Sequence, residues 1–482
     1  MIAITFISTP LLIKWLGKEQ LGTFKILHEW SFAIGIFYLG LAGALIAVLS
    51  KTVATNNEIK IKQSIQAGIK SYVYVLPLII SASIVILILI PKLINSTTIP
   101  LGSIKLGFII LSFPIFFAPF ETLRIYIEAK QRSDLINIVS FIQLVVMATL
   151  SLIFAYLGYG LSGQSIAYVI SALLLSLAYL FMAKMFIKNI FSDFFNKNQY
   201  TKEIWKLNWQ TFIFDLSGRL ALHLDNVVIG YFISPIAVIP FFITQKLPQM
   251  AQRQLQSIGN SVWAPLIDFY HKKDFISFNE KLIESNKFIS IMACAIILPI
   301  ISYNKSFITL WTGVTTYAGM EFTLLACLIA FTQALVSFWS WIFVSSGKIK
   351  SQIPIHITAS ILNFGLSVYL TPKIGIKGPL YGTVISYIII LIPGSIYLLK
   401  NSFAISPTKI IFSIFLPLIQ ATFFLFVARI LIDNEILSWP KLIMVFCLTP
   451  ICYLLISWIT LLNHRERTIW KNRLKNIVSL IR

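Results

Sequence analysis

Charge is what this sequence has least of. Asp, Glu, Lys and Arg together make up 12% of its 482 residues, against 57% hydrophobic ones, a balance that no water-soluble fold of this length could carry on its surface. The short motifs of catalysis are missing too. There is no G-x-S-x-G, no Walker sequence and no H-E-x-x-H, which removes the nucleophile elbow, the phosphate-cradling loop and the zinc helix. Cys294, Cys327, Cys447 and Cys452 stand without C-x-x-C spacing, so they are expected as small core residues of apolar helices. The five histidines are scattered, without a metal pattern. No catalytic residue, metal or cofactor is therefore expected.

What the chain has in abundance is apolar runs of about 20 residues, long enough to cross a bilayer. They predict spans near 24–50, 70–91, 105–128, 135–158, 163–187, 209–232, 237–264, 286–304, 318–344, 353–372, 378–399, 409–431 and 439–462, preceded by the shorter Met1–Ile13. The fold class is an all-α integral membrane protein of about 14 transmembrane helices, the first truncated. Prolines inside spans, among them Pro77, Pro248, Pro299 and Pro417, are tolerated there and can bend the bundle.

The net charge of +21 would suggest nucleic acid if it were evenly spread, and it is not. Sorting Lys and Arg by loop puts 26 on one side of the membrane and 9 on the other. That is the positive-inside bias, and it places both termini in the cytoplasm, with no role for nucleic acid. The basic tail 463–482 reads as an amphipathic segment lying on anionic lipid. No loop on the sparse side is long enough for a soluble domain.

Two landmarks recur. Gly17, in the turn Leu16–Phe24, matches Ser234 in Ile233–Phe241, a step of 217; Gly160-Leu161-Ser162-Gly163 matches Gly375-Ile376-Lys377-Gly378, a step of 215. Their agreement argues for a doubled unit of six helices per copy. An even number of helices returns the second copy to the same side, so the repeats are parallel, as in many transporters. The expected organisation is a six-helix lobe at 1–188, a linker at 189–208, a second lobe at 209–400, two extra helices at 401–462 and the tail. In this alignment Met1 falls opposite Gly218, so about ten residues of the first helix are expected to be missing. A cleaved signal peptide is the rival reading, against which stand the absent basic n-region and A-x-A site.

Polar residues at bilayer depth are costly and mark candidate sites. In 209–232 and the residue before it, Asn208, Thr211, Asp215, Arg219, His223 and Asn226 fall within about 120° on a helical wheel. In 237–264, Lys246, Gln249, Arg253, Gln256 and Asn260 fall within about 80° and extend roughly 21 Å. Two such stripes on consecutive helices predict the border of one hydrated cavity. Blander readings stand beside this. Asp215 and Arg219, four apart, could neutralise each other. Lys246 and Arg253 could snorkel to the interface. His223 could be a packed core residue, and Asp225, off the stripe, a contact to a neighbouring helix. Ile229 is expected to face lipid. Projected through the repeat, the second stripe keeps only Glu29, beside His28, so the lobes are chemically unequal. Glu121, Arg124 and Glu128 read as an interfacial charge cluster.

Leu16-Gly17-x-x-x-x-Gly22, Asp225-Asn226-Val227-Val228-Ile229-Gly230, and Asn363 with Leu370-x-Pro372-x-x-Gly375-x-x-Gly378 resemble the polysaccharide flippases, O-antigen flippases among them. These belong to the multidrug/oligosaccharidyl-lipid/polysaccharide exporter superfamily. The sequence departs from that pattern where Ile239 replaces the glycine matching Gly22 and Pro240 follows it. The resemblance implies twelve core helices in two bundles, two added helices, alternating access and no enzymatic activity. It also implies a polyprenyl-pyrophosphate-linked oligosaccharide as substrate in a bacterial cytoplasmic membrane. Expected partners are membrane lipids and a polymerase and chain-length regulator of the same pathway. Arg219, Lys246 and Arg253 would then meet the pyrophosphate, Gln249, Gln256, Asn208 and Asn260 the sugar, and Asp215, His223, Asp225, His28 and Glu29 would serve coupling or charge pairing. A lipid II flippase and a drug/cation antiporter of the same superfamily are the nearer rivals. A membrane polymerase or glycosyltransferase, the rival of another class, would need a catalytic loop outside the membrane that the sequence does not contain.

Overall fold

Hydrocarbon offers no water to unsatisfied N–H and C=O groups, so a chain of long apolar runs closes its backbone hydrogen bonds within helices. The computed structural model describes residues 2–38, 40–94, 96, 98–186, 199–208, 212, 225–431, 438–464 and 466–468, and among these there are helices, turns and no strand. The helices are α1 (Ile2–Ile34), α2 (Leu41–Val53), α3 (Glu58–Leu93), α4 (Leu101–Ser112), α5 (Glu121–Ala129), α6 (Ser133–Tyr156), α7 (Gly160–Phe186), α8 (Asp225–Phe232), α9 (Pro235–Thr244), α10 (Lys246–His271), α11 (Phe275–Thr312), α12 (Met320–Ser345), α13 (Ile353–Ile374), α14 (Gly378–Ser386), α15 (Ile392–Phe403), α16 (Pro407–Leu431) and α17 (Trp439–Thr460). Residues 199–208 are helical as well. Among the described residues nine helical runs are long and apolar enough to cross a membrane. One of them, Ile349–Phe403, contains both expected spans 353–372 and 378–399. This is a multi-pass, all-α membrane protein.

Several boundaries differ from those read off the apolar runs, each for a local reason. The span expected at 24–50 is interrupted by a 3-10 turn at Gly35–Tyr38 and by Gly40 at φ 76°. The runs 70–91 and 286–304 sit inside much longer helices of 36 and 38 residues. Their polar N-terminal ends are started by Asn57, which accepts from the Lys60 amide at 3.1 Å, and Asp274, which accepts from the Ser277 amide at 3.1 Å. Such caps satisfy first-turn amides that have no partner within the helix. The stub and the first full helix are merged into α1 but broken at Gly17 (φ 76°, ψ 164°). The two repeat turns share a backbone: Gly160 has φ 55° and Gly375 φ 71°, the left-handed region that favours glycine.

The chain divides into two compact units, Met1–Ile239 with Ser367–Pro379, and Pro240–Leu366 with Leu380–Arg482. The first has Ile26, Leu27, Leu41 and Tyr126 fully buried at its centre. On its basic side Arg124 bonds to Glu121 and, at 2.8 Å, to Glu128, the charge cluster expected from their spacing. The second is centred on Phe278, Phe322, Phe338 and Trp339. Its helices are pinned by Asn286, whose Nδ2 donates to Ser413 Oγ at 2.7 Å while its Oδ1 accepts from Trp339 Nε1 at 2.9 Å. One buried amide thus joins α11, α12 and α16. The outer faces of α16 and α17 present Phe423, Phe426, Ile443 and Ile459, apolar surface suited to lipid. Cys447 and Cys452 lie on that exposed surface too, unlike the buried Cys294 and Cys327; only half of the cysteines are core residues.

Asn286→Ala strands the Trp339 N–H and removes both bonds. The expected loss is about 1–3 kcal/mol of stability, read as a lowered unfolding temperature of the detergent-purified protein. An unchanged temperature would mean that the pin contributes nothing.

Candidate functional site

In the first unit the site begins with two glycines. A Cβ on Gly22 of α1 would lie 2.0 Å from the Pro235 carbonyl oxygen, and one on Gly230 of α8 would lie 2.3 Å from the Ile26 side chain. Only hydrogen at these positions lets α1 meet α8 and the turn after it this closely. The first repeat turn therefore packs against the residues of its own counterpart, the turn at Ser234 and Pro235. The close approach buries Ile229 completely; it was expected to face lipid and instead packs inward.

Just beyond this contact Glu29 and Asn226 meet. Asn226 Nδ2 donates to Glu29 Oε1. Glu29 Oε2 and Asn226 Oδ1 are buried with no hydrogen-bond partner among the described residues. Lys25 and Asp225 are near enough to act on Glu29 electrostatically. Beside it the His28 ring meets Tyr168 edge-on, with centroids 4.9 Å apart, and Phe24 at 6.1 Å. Two acceptor oxygens in one contact with no donor between them form an arrangement that a proton or a small cation completes. Asn208, the last residue of the helical stretch 199–208, is buried in the same unit. Asp215, Arg219 and His223 lie outside the described residues.

In the second unit the predicted basic stripe lies along α10. Arg253 and Asn260 are exposed, while Lys246, Gln249 and Gln256 are partly so. The opposite face buries Leu247, Ala251 and Leu255. A helix apolar on one side and polar on the other at bilayer depth fits a water-filled path, since charge facing lipid is costly. Gln249 Nε2 donates to Gln245 Oε1 at 2.7 Å, and Lys246 Nζ sits 5.2 Å from the centroid of the Phe242 ring. Among the described residues neither Lys246 nor Arg253 forms an ion pair with a carboxylate. They are near enough to each other for electrostatic repulsion. Among the described residues the two cations of the stripe are therefore not neutralised by a carboxylate.

The start of α10 also has a structural reason to be where it is. Pro248 has no amide proton for the Thr244 carbonyl, the acceptor four residues back. Asn304 Nδ2 of α11 fills that place at 3.0 Å. Sequence reading noted Pro248 but missed Asn304, because its partner is a carbonyl that only the folded hairpin brings to it. It also missed the Glu29–Asn226 contact, although both residues were singled out for other reasons.

Residues 1–271 match the family described as "Polysaccharide biosynthesis protein". No curated protein matches the sequence. Among solved structures, "Lipid II flippase MurJ, inward closed conformation" is similar over 96% of this chain and 97% of that one, with a TM-score of 0.73 and 15% identity. A multidrug resistance MATE family transporter of the MOP superfamily, in an inward-facing conformation, is similar over 88% and 96%, with a TM-score of 0.66 and 14% identity. A MOP superfamily transporter from Pyrococcus furiosus covers 84% and 96%, at 0.52 and 15%. At such identities the likeness is one of fold.

Two substitutions probe the first unit. Gly22→Val drives a side chain into backbone and is expected to cost about 1–3 kcal/mol or more, seen as a loss of monodisperse protein on size-exclusion chromatography. Asn226→Leu removes the side-chain bond to Glu29. Its unfolding temperature, combined with those of Glu29→Leu and the double variant, should give a coupling of about 0.5–3 kcal/mol. Strict additivity would show that the contact is energetically silent.

Proposed function

The chain belongs to the polysaccharide biosynthesis protein family, and on that premise we propose that it is a flippase for a polyprenyl-pyrophosphate-linked oligosaccharide, working in a bacterial cytoplasmic membrane. The observation that carries this reading is the α10 stripe, with two cations, Lys246 and Arg253, that meet no carboxylate among the described residues, interleaved with amides. A sugar cannot enter hydrocarbon without losing hydrogen bonds at a cost of several kcal/mol each. A polar path replaces those bonds while the lipid tail stays in the bilayer. Lys246, Arg253 and Arg219 would bind the pyrophosphate, the arginines matching its geometry best. Gln249, Gln256, Asn208 and Asn260 would bond to sugar hydroxyls.

In this reading the proposed lobes 1–188 and 209–400 open the path alternately to each side, with both termini in the cytoplasm as the Lys and Arg bias suggests. The Glu29–Asn226 contact, with Asp225 and His28 beside it and Asp215 and His223 nearby in sequence, would carry the coupling proton or cation. Taking up and releasing charge there would bias the two states. A second reading, transport of lipid II, is favoured by the extent of the fold likeness to the lipid II flippase. Neighbouring genes separate the two: glycosyltransferases support the first, cell-division genes the second.

Lys246→Ala and Arg253→Ala are each expected to abolish surface glycan export while the protein remains in the membrane, since each removes a charge-assisted bond of about 1.5–3 kcal/mol. Lys246→Arg should keep much of the activity. Export is read by glycan display on whole cells, with membrane level checked by immunoblot. Normal export by both alanine variants would remove the basic stripe from the substrate path.

A further inference from the structure

Two cavities in the second unit lie beyond the end of the α10 stripe and share a wall. The first, about 290 Å³, is bounded by Ser261, Pro265 and Phe269 near the end of α10 and by Lys281, Glu284 and Ser285 near the start of α11. The second, about 310 Å³, lies between α11 and α17, against Ile291, Met292, Leu454 and Trp458, with Lys287 and Glu466 also on its wall. Glu284 and Phe288 line both.

The charges around them are unequally satisfied. Lys287 and Glu466 pair at 2.9 Å, each side chain only 16% exposed, and Glu466 Oε2 also accepts from the Asn463 amide at 2.8 Å. Lys281 Nζ donates to Glu284 Oε2 at 2.5 Å. Glu284 Oε1 is buried with no hydrogen-bond partner among the described residues. The vicinity therefore lacks one donor, at Glu284, and Lys281 keeps donors in reserve, because an ammonium has three. A ligand that fits carries a positively charged N–H group for Glu284 and an anionic oxygen for Lys281.

Position adds the rest. Lys281 and Glu284 stand just before the apolar run 286–304, on the side of the membrane where Lys and Arg accumulate, which is head-group depth. From Glu284 to Ile291 α11 rises roughly 10 Å toward the apolar interior, along the second cavity. We propose that this pair of cavities binds one phospholipid with a primary-amine head group, of the phosphatidylethanolamine kind. The ammonium meets Glu284, the phosphate meets Lys281, and an acyl chain lies between α11 and α17 against Met292 and Trp458. The bound lipid holds the final helix against α11. The site takes a lipid of the surrounding leaflet and does not depend on which substrate is transported.

The experiment uses the full-length protein, delipidated in detergent and titrated with phosphatidylethanolamine, phosphatidylglycerol or phosphatidylcholine, with retained lipid read by native mass spectrometry. Phosphatidylethanolamine should be retained roughly tenfold better than the other two, since the glycerol head group has no cation and the quaternary choline has no N–H to donate. Glu284→Gln should reduce it to the phosphatidylglycerol level, and Lys281→Ala should weaken all three. Glu58→Gln, on the exposed start of α3, should change nothing. Equal retention of the three lipids by the unaltered protein would mean an adventitious lipid only and overturn the proposal. So would an ethanolamine preference that survives Glu284→Gln. If Glu284→Gln cannot be purified, the ranking of lipids on the unaltered protein still decides.

Discussion

Pro248 leaves the Thr244 carbonyl without its helical donor, and Thr244 is fully buried, so that carbonyl cannot turn to water. Asn304 of the next helix supplies the missing N–H, and the repair fixes the register of α11 against the start of α10. The same constraint governs Asn286, which satisfies Trp339 and Ser413 together. These groups are buried, so the contacts do not compete with solvent, and breaking one strands a polar group at about 1–3 kcal/mol. A few buried amides therefore decide which helices are neighbours. The last two helices, α16 and α17, are held by the same means. Asn286 reaches α16 through Ser413, and Tyr453 of α17 donates to the Pro417 carbonyl at 2.9 Å.

Against that background the two candidate clusters differ in kind. The α10 stripe is a row of polar groups left open, with cations that no described carboxylate neutralises. The Glu29 cluster is closed, formed where Gly22 and Gly230 let two helices touch and where one hydrogen bond leaves two oxygens unanswered. In the function proposed above, the basic face would receive the anionic cargo. A closed carboxylate–amide contact suits a particle as small as a proton or a bare cation. Both features are compatible with a transporter.

Periodicity and spacing already determined much of this protein. Apolar runs of bilayer length specified a multi-pass helical fold, because hydrocarbon permits few other solutions. The i, i+3, i+7 spacing of Glu121, Arg124 and Glu128 gave their ion pairs, and the wheel positions of Lys246 through Asn260 placed them on one face of α10. These are local properties, set by the rise and turn of a single helix. The matching glycines at 160 and 375 were legible for the same reason, since a left-handed backbone is a property of one residue.

Only the tertiary structure decided which helix each face meets. Ile229 is as apolar as any lipid-facing residue, and its burial follows from the glycine contact between α1 and α8, residues about 200 positions apart in sequence. Cys447 and Cys452 are exposed and Cys294 and Cys327 buried, though all four lie in helices apolar enough to cross a membrane; apolarity drives a residue out of water but does not choose between lipid and protein. Glu29 was visible as the one polar residue of the projected stripe and Asn226 as part of another stripe, yet nothing local joins them. Their contact is a product of packing, as are the bond of Asn304 to Thr244 and the unpaired oxygen of Glu284. A hydrogen bond between distant segments depends on distances of tenths of an ångström, which one-dimensional pattern does not encode.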